Sequence, residues 1–215
     1  FDFILSPCFR KEAFFYDGVN FKNKQEHFNH QVKALLEIIE KYPELKDRLC
    51  EVDTVGDEKE LYRKTHFNDM KQGFRKLQYR GFAIRSHHGE TWQTLKKGVQ
   101  AVDNAMNIWR IDTLEHGLSL GINPNFYFHQ IYQSITEANK LSSPIKPGTQ
   151  NYRELLDMDW QNYTDIRDKI INGIKLNNAE SRKFLKIKFH TAREVESYQH
   201  DVLNRMIQKN MNLVA

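Results

Sequence analysis

Cysteine is scarce: the 215-residue chain has two, Cys8 and Cys50, and neither belongs to a Cys-x-x-Cys pair. A dithiol redox motif is thereby excluded, and both are expected to be free, buried thiols of a reducing compartment. Long apolar runs are missing as well. Nothing approaches the ~20 apolar residues that a membrane span requires, and no secretory signal is visible. The expectation is a soluble, cytoplasmic protein with no membrane partner. An excess of one charge is also lacking: 32 Lys and Arg stand against 28 Asp and Glu, a formal net charge of +4. That balance permits a phosphate-bearing ligand without arguing for nucleic acid. No internal repeat or low-complexity tract stands out.

What is present suits a folded chain. Hydrophobic residues make up 40% and charged residues 28%, enough apolar surface to bury a core. The length allows one domain or two small ones. The sequence opens on "FDFILSPC", already inside an apolar run, and stops on "NMNLVA", partway into another. Both ends look cut through strands, so a piece of a longer protein is expected.

Strand and helix patterns alternate along the first half. Phe3 to Cys8 is a short apolar run with a proline near its end, a buried strand by pattern. Phe28, Val32, Leu35 and Ile39 then recur at helical spacing from about Lys24 to Tyr42, where Pro43 ends the helix. Leu49 to Thr54 is the next strand, followed by the turn "VGDE" (Val55 to Glu58). A helix over about Phe67 to Tyr79 leads to a third strand, Phe82 to Ser86. Beyond Glu90 a helix runs to about Met106, with Trp92, Leu95, Val99, Val102 and Met106 on one stripe. Trp109 to Gly117 is a fourth strand. This alternation predicts a parallel sheet with crossover helices. From Phe126 to Lys209 no convincing strand appears, and helical stripes recur at Tyr163, Ile166, Ile170 and at Val195, Tyr198, Val202, Met206. A last strand begins at Met211.

Chemistry-bearing residues fall just past successive strand ends: Gly56-Asp57-Glu58, then His87 and Glu90, then His116. In a barrel of parallel strands that edge is the active face. His87 and His116 would stand on neighbouring strands, about 5 Å apart at the backbone. Glu90 lies at a helix start, where backbone N–H groups tune an acid. Singly, each has a plainer explanation: a hydrogen-bonded surface histidine, a helix-opening acid, a turn glycine. Their ordered recurrence on three consecutive strand ends is less easily accidental.

These motifs resemble the adenosine deaminase superfamily. The family pattern I-D-x-x-G-D-E is matched by "VDTVGDE" (Val52 to Glu58), His-x-Gly-Glu by "HHGE" (His87 to Glu90), and the later His-Gly by "LEHG" (Leu114 to Gly117). The resemblance covers roughly Phe3 to Asn123, with Met211 onward like the following strand. It implies an α/β fold, a partial (β/α)8 barrel holding about strands 3 to 7. A mostly helical insertion would separate strands 6 and 7. The implied domains are a barrel part over 1–125, an insertion over 126–209 and the start of a strand at 210–215. By position, His87 matches the family's zinc (Zn2+) ligand and Glu90 the acid that protonates the purine ring nitrogen. His116 matches the histidine that orients and deprotonates the attacking water, and Gly56 the glycine that touches the purine through its backbone. His88 fills the variable position and is assigned no metal. Asp57 and Glu58 have a supporting role at most.

The implied reaction is hydrolytic deamination of adenine in adenosine or an adenine nucleotide, ATP and RNA adenine included. Zinc lowers the pKa of bound water from 15.7 to roughly 7, and a protonated acid lets the ring accept electrons. The family's remaining ligands, a His-x-His pair and a late Asp, have no counterpart here. His27 and His30 lie on a helix, and Asp157 and Asp159 in the insertion. One ligand of four is therefore present, and the chain alone is not expected to hold the metal. The rest of the barrel would lie outside this chain. Arg10, Lys11, Lys59, Arg63 and Lys64 follow strand ends and would suit phosphates, or be solvated loop charges. The insertion suggests an oligomer contact or a larger complex, as in the deaminase-like subunits of bacterial anti-phage systems. The competing reading is an inert barrel used as an assembly module.

Overall fold

A computed structural model of the chain describes residues 4–11, 20–59 and 61–214. The chain forms a five-stranded, all-parallel sheet of consecutive order, β1 (Cys8–Arg10), β2 (Glu51–Val55), β3 (Ala83–His88), β4 (Thr113–His116) and β5 (Asn212–Val214). Helices α1 (Lys24–Lys41), α2 (Lys64–Tyr79) and α3 (Leu95–Asn104) link the first four strands. Helices α4 (Leu118–Gly121), α5 (Pro124–Lys140), α6 (Gln150–Asp157), α7 (Thr164–Ile171) and α8 (Asn178–Gln208) fill the connection from β4 to β5. This is the mixed α/β, parallel-sheet architecture that the alternation predicts, in the consecutive order a barrel segment has. No described helix is long and apolar enough to cross a membrane.

Contacts divide the chain into two compact units, one of residues 1–92, 97–119 and 202–215, the other of residues 93–96 and 120–201. In the first, the sheet's apolar side chains Phe9, Val52, Ile84 and Leu114 are buried with Phe28 and Val32 of α1 and Phe67, Met70, Phe74 and Leu77 of α2. Trp109 is fully buried among Phe67, Phe74 and His88, and its indole N–H donates to the Phe67 carbonyl at 2.8 Å. In the second, Phe128, Ile135, Leu155, Ile166, Ile170 and Val195 are buried, and Trp160 stacks on Phe184 at 5.7 Å.

Boundaries differ from the sequence pattern by one to three residues at β2, α2 and β3, which runs on through His88, and by more at three places. The strand expected over Phe3 to Cys8 is observed at Cys8–Arg10; Phe3 itself lies outside the described residues. Pro7 has no N–H to give a ladder, yet its carbonyl still accepts from Asp53 at 3.0 Å. The helix expected directly after Glu90 begins at Leu95 and continues as a π-turn over Ala105–Trp109. The fourth strand therefore starts at Thr113 and not at Trp109. The cause is tertiary. Arg75 donates to the carbonyls of Ile108 and Trp109 at 2.7 and 2.8 Å, and Gln78 to that of Arg110 at 2.8 Å. These are the orphan carbonyls of a helix end, and Arg110 closes it in the left-handed region at φ 58°. Both cysteines are free, but Cys8 is exposed and Cys50 half-buried, so the expected burial is not observed. Cys8 alternates away from the buried Phe9 along its strand.

Candidate active site

The pleat of the sheet sorts the candidate residues. On β3, Ile84, Ser86 and His88 are buried toward the helices, while Arg85 and His87 point to the opposite face. That face also carries Glu51 and Asp53 of β2 and Glu115 of β4, with a hollow of about 400 Å³ along it. The register sets Arg85 beside Thr113 and His87 beside Glu115.

His87 is held at both ring nitrogens. Its Nδ1 lies 3.1 Å from Asp53 Oδ1 and 3.2 Å from the Thr54 carbonyl, and its Nε2 is 2.5 Å from Glu115 Oε2. Glu115 is in turn bonded to Arg85, which reaches Glu51 at 2.8 Å. Burial pushes the Asp53 carboxyl up, opposed mainly by the charge it shares with His87. The Cys8 thiol, 3.8 Å from Asp53, is raised by burial and then by that carboxylate.

His116 sits at φ 67°, a left-handed backbone that only a few per cent of non-glycine residues adopt. Its ring centroid lies 5.2 Å from that of His87, and its Nε2 is 3.9 Å from Glu90 Oε2. The donor atoms of His87, Glu115 and His116 all lie within 4.8 Å of one another. Two imidazoles and a carboxylate are a donor set that catalytic zinc accepts. A carboxylate on Nδ1, as Asp53 is here, is the kind of outer partner that would direct Nε2 toward a metal.

The turns that present these groups have local causes. Gly56 ends β2 at φ 129°, and Gly89 stands between His88 and Glu90 at φ 73°. A Cβ on Gly89 would come within 2.4 Å of Ser119 Oγ and 2.8 Å of Val102. The Gly89 carbonyl also accepts from Ser119 N–H at 2.8 Å. Only glycine fits there, which is the physical reason for the third letter of His-x-Gly-Glu.

His88 is fully buried against Phe67 and Trp109, with Nδ1 at 2.7 Å from Ser86 Oγ, which meets Thr54 Oγ1 at 2.7 Å. Burial holds its pKa well below the ordinary histidine value, so the ring is neutral. Lys11 does not face solvent as a phosphate-binding loop residue would: it is fully buried, with its Nζ 3.4 Å from Glu58 Oε1. Arg10, Lys59, Arg63 and Lys64 are exposed. His27 and His30 lie on α1 against Phe21, while Asp157 and Asp159 belong to the second unit.

The motifs do not single out Glu115, and Asp53, although it is the fixed second letter of I-D-x-x-G-D-E, has no role assigned by the resemblance. The signal for both is the two-residue period: Asp53 is in phase with Glu51, and Glu115 is opposite His87 once the register is known.

No family model matches the chain, and no curated protein matches it. Among solved structures, an amidohydrolase from Burkholderia ambifaria with bound zinc is similar at 11% identity and a TM-score of 0.38, over 96% of this chain and 57% of that one. The chain thus spans little more than half the length of that structure. So distant a likeness carries no functional argument, and the residues at the strand ends must supply it.

Proposed function

We propose that this chain is the central part of a zinc-dependent hydrolase that deaminates adenine in adenosine or an adenine nucleotide. The observation that supports it is the gathering of His87, Glu115, His116 and Glu90 at adjoining strand ends, on motifs that match the deaminase pattern in order and spacing. His87 would hold the ion through Nε2, with Glu115 as the neighbouring carboxylate. When bound, zinc would supply a nucleophile at neutral pH by acidifying water. Asp53 fixes the tautomer and aim of His87. His116 takes a proton from the attacking water, and Glu90 gives one to the ring nitrogen beside the amine-bearing carbon. The amine then leaves as ammonia on the proton that His116 returns, and the proton left on the new hydroxyl goes back to Glu90 as the ring carbonyl forms.

One observation favours the inert module: both nitrogens of His87 are already engaged by carboxylates of this chain. The two readings separate on zinc. In the full-length protein, ammonia release from adenosine, AMP or ATP should appear and be lost on chelation. Glu90→Gln should abolish turnover with zinc still bound. No ammonia from any adenine compound would defeat the enzyme reading, and absence of zinc binding would favour the module.

A further inference from the structure

We infer that the buried ion pair Lys11–Glu58 is a positioning element that fixes the backbone from which Glu90 acts. Lys11 follows β1 and extends its pairing, with its N–H on the Val55 carbonyl at 3.1 Å. Its ammonium meets Glu58 Oε1 at 3.4 Å and donates to the carbonyl of His87. The two side chains are 0% and 3% exposed. Glu58 Oε2 accepts the backbone N–H of Glu90 at 3.1 Å, and its carboxylate also receives the N–H of Thr91. One ion pair therefore grips both ends of the segment His87–Thr91, which carries the metal-binding imidazole and the proton donor.

Two arguments give the pair this role. Desolvating two charges costs several kcal/mol per ion, and an apolar pair of similar volume is often as stable. Packing alone therefore does not call for it. The Glu90 side chain, by contrast, is half-exposed and has its closest charged contact, His116, at 3.9 Å. A side chain so lightly held is aimed by its backbone. Gly89 permits the turn, and the Glu58 carboxylate, neutralised by Lys11, sets where it points.

This inference rests on Glu90 as the proton donor. The test compares Lys11→Met/Glu58→Leu with Lys11→Met/Glu58→Gln in full-length, zinc-loaded protein, using adenosine. The first pair removes the amide acceptor and the second keeps one. For Lys11→Met/Glu58→Leu, kcat should fall roughly 10- to 100-fold, with KM and zinc content little changed. The Glu90 and Thr91 amides should exchange with solvent about tenfold faster or more. For Lys11→Met/Glu58→Gln, which keeps an acceptor for the Glu90 and Thr91 amides but not the Lys11 grip on the His87 carbonyl, exchange protection should return and kcat recover only in part. Unchanged exchange in Lys11→Met/Glu58→Leu, or no recovery in Lys11→Met/Glu58→Gln, overturns the inference. If Lys11→Met/Glu58→Leu does not fold, Lys11→Met/Glu58→Gln against wild type decides it, since lost amide protection there refutes the role. If the wild type releases no ammonia, the deaminase reading falls, and the exchange comparison still decides whether the pair holds the segment.

Discussion

Replacing Glu154 with Gln should stabilise the second unit in a way that depends on pH. Glu154 is almost completely buried on α6. Its Oε1 accepts from the Tyr127 hydroxyl at 2.7 Å, the Leu95 N–H at 2.8 Å and the Gln150 amide at 3.0 Å. Burial pushes its carboxyl up to about 7 from an ordinary 4.5, against the pull of those donors, with Asp157 adding repulsion. Between those values the folded state binds a proton that the unfolded chain has released, so this group's contribution falls as pH rises. The difference of about 2.5 pKa units corresponds to about 3 kcal/mol, present below about pH 4.5 and lost above about pH 7. Gln keeps an acceptor oxygen for all three donors and never ionises. Glu154→Gln should therefore match wild type near pH 4 and exceed it by up to about 3 kcal/mol near pH 8. Urea unfolding at both pH values, with amide exchange along α6 as the local probe, measures the difference. Equal stability offsets at the two pH values would refute the reasoning. So would a variant weaker than wild type at the higher pH.

Other substitutions test other links. Asp53→Asn should weaken zinc binding about 10- to 100-fold by loosening His87, read by competition with a chelating dye; unchanged affinity would remove Asp53 from the site. His88→Ala should leave zinc content intact while lowering the melting temperature, and loss of metal would mean that the wrong imidazole of the pair was assigned. Gly89→Ala should destabilise more than Gly81→Ala. Both have positive φ, at roughly 1 to 2 kcal/mol for a side chain in that region. At Gly89 the new Cβ also meets Ser119 at 2.4 Å, whereas nothing lies within 4 Å at Gly81. Equal losses in urea unfolding would contradict that packing.

Much of the fold is written in periodicity. The α1 stripe of Phe28, Val32 and Leu35 is buried as its spacing predicts, and Pro43 opens a 3-10 turn just after the helix. Where sequence reading failed, tertiary contacts overrode local pattern. Trp109 to Ile111 reads as the opening of the fourth strand. Arg75 and Gln78, about thirty residues earlier, instead cap a π-turn there and draw Trp109 into the helix-side core. Lys11 looks like loop charge because its partner Glu58 belongs to a different strand end. No local rule pairs them.

The adjacent histidines show how the same pleat both reveals and hides a site. A two-residue period puts His87 and His88 on opposite faces whatever else the chain does. One imidazole meets Asp53 and Glu115, and the other is sealed, neutral, behind Ser86 and Thr54. Carried on to β4, that period would send His116 to the wrong side, since His116 is the register partner of the buried His88. The left-handed backbone at His116, followed by Gly117 at φ 56°, breaks the alternation and swings the ring to 5.2 Å from that of His87. Such a backbone costs a non-glycine residue roughly 1 to 2 kcal/mol, and strain of this kind persists where surrounding structure enforces it. The histidine is thus placed against its strand's own geometry, at a local cost, beside the one imidazole of the pair that faces away from the core.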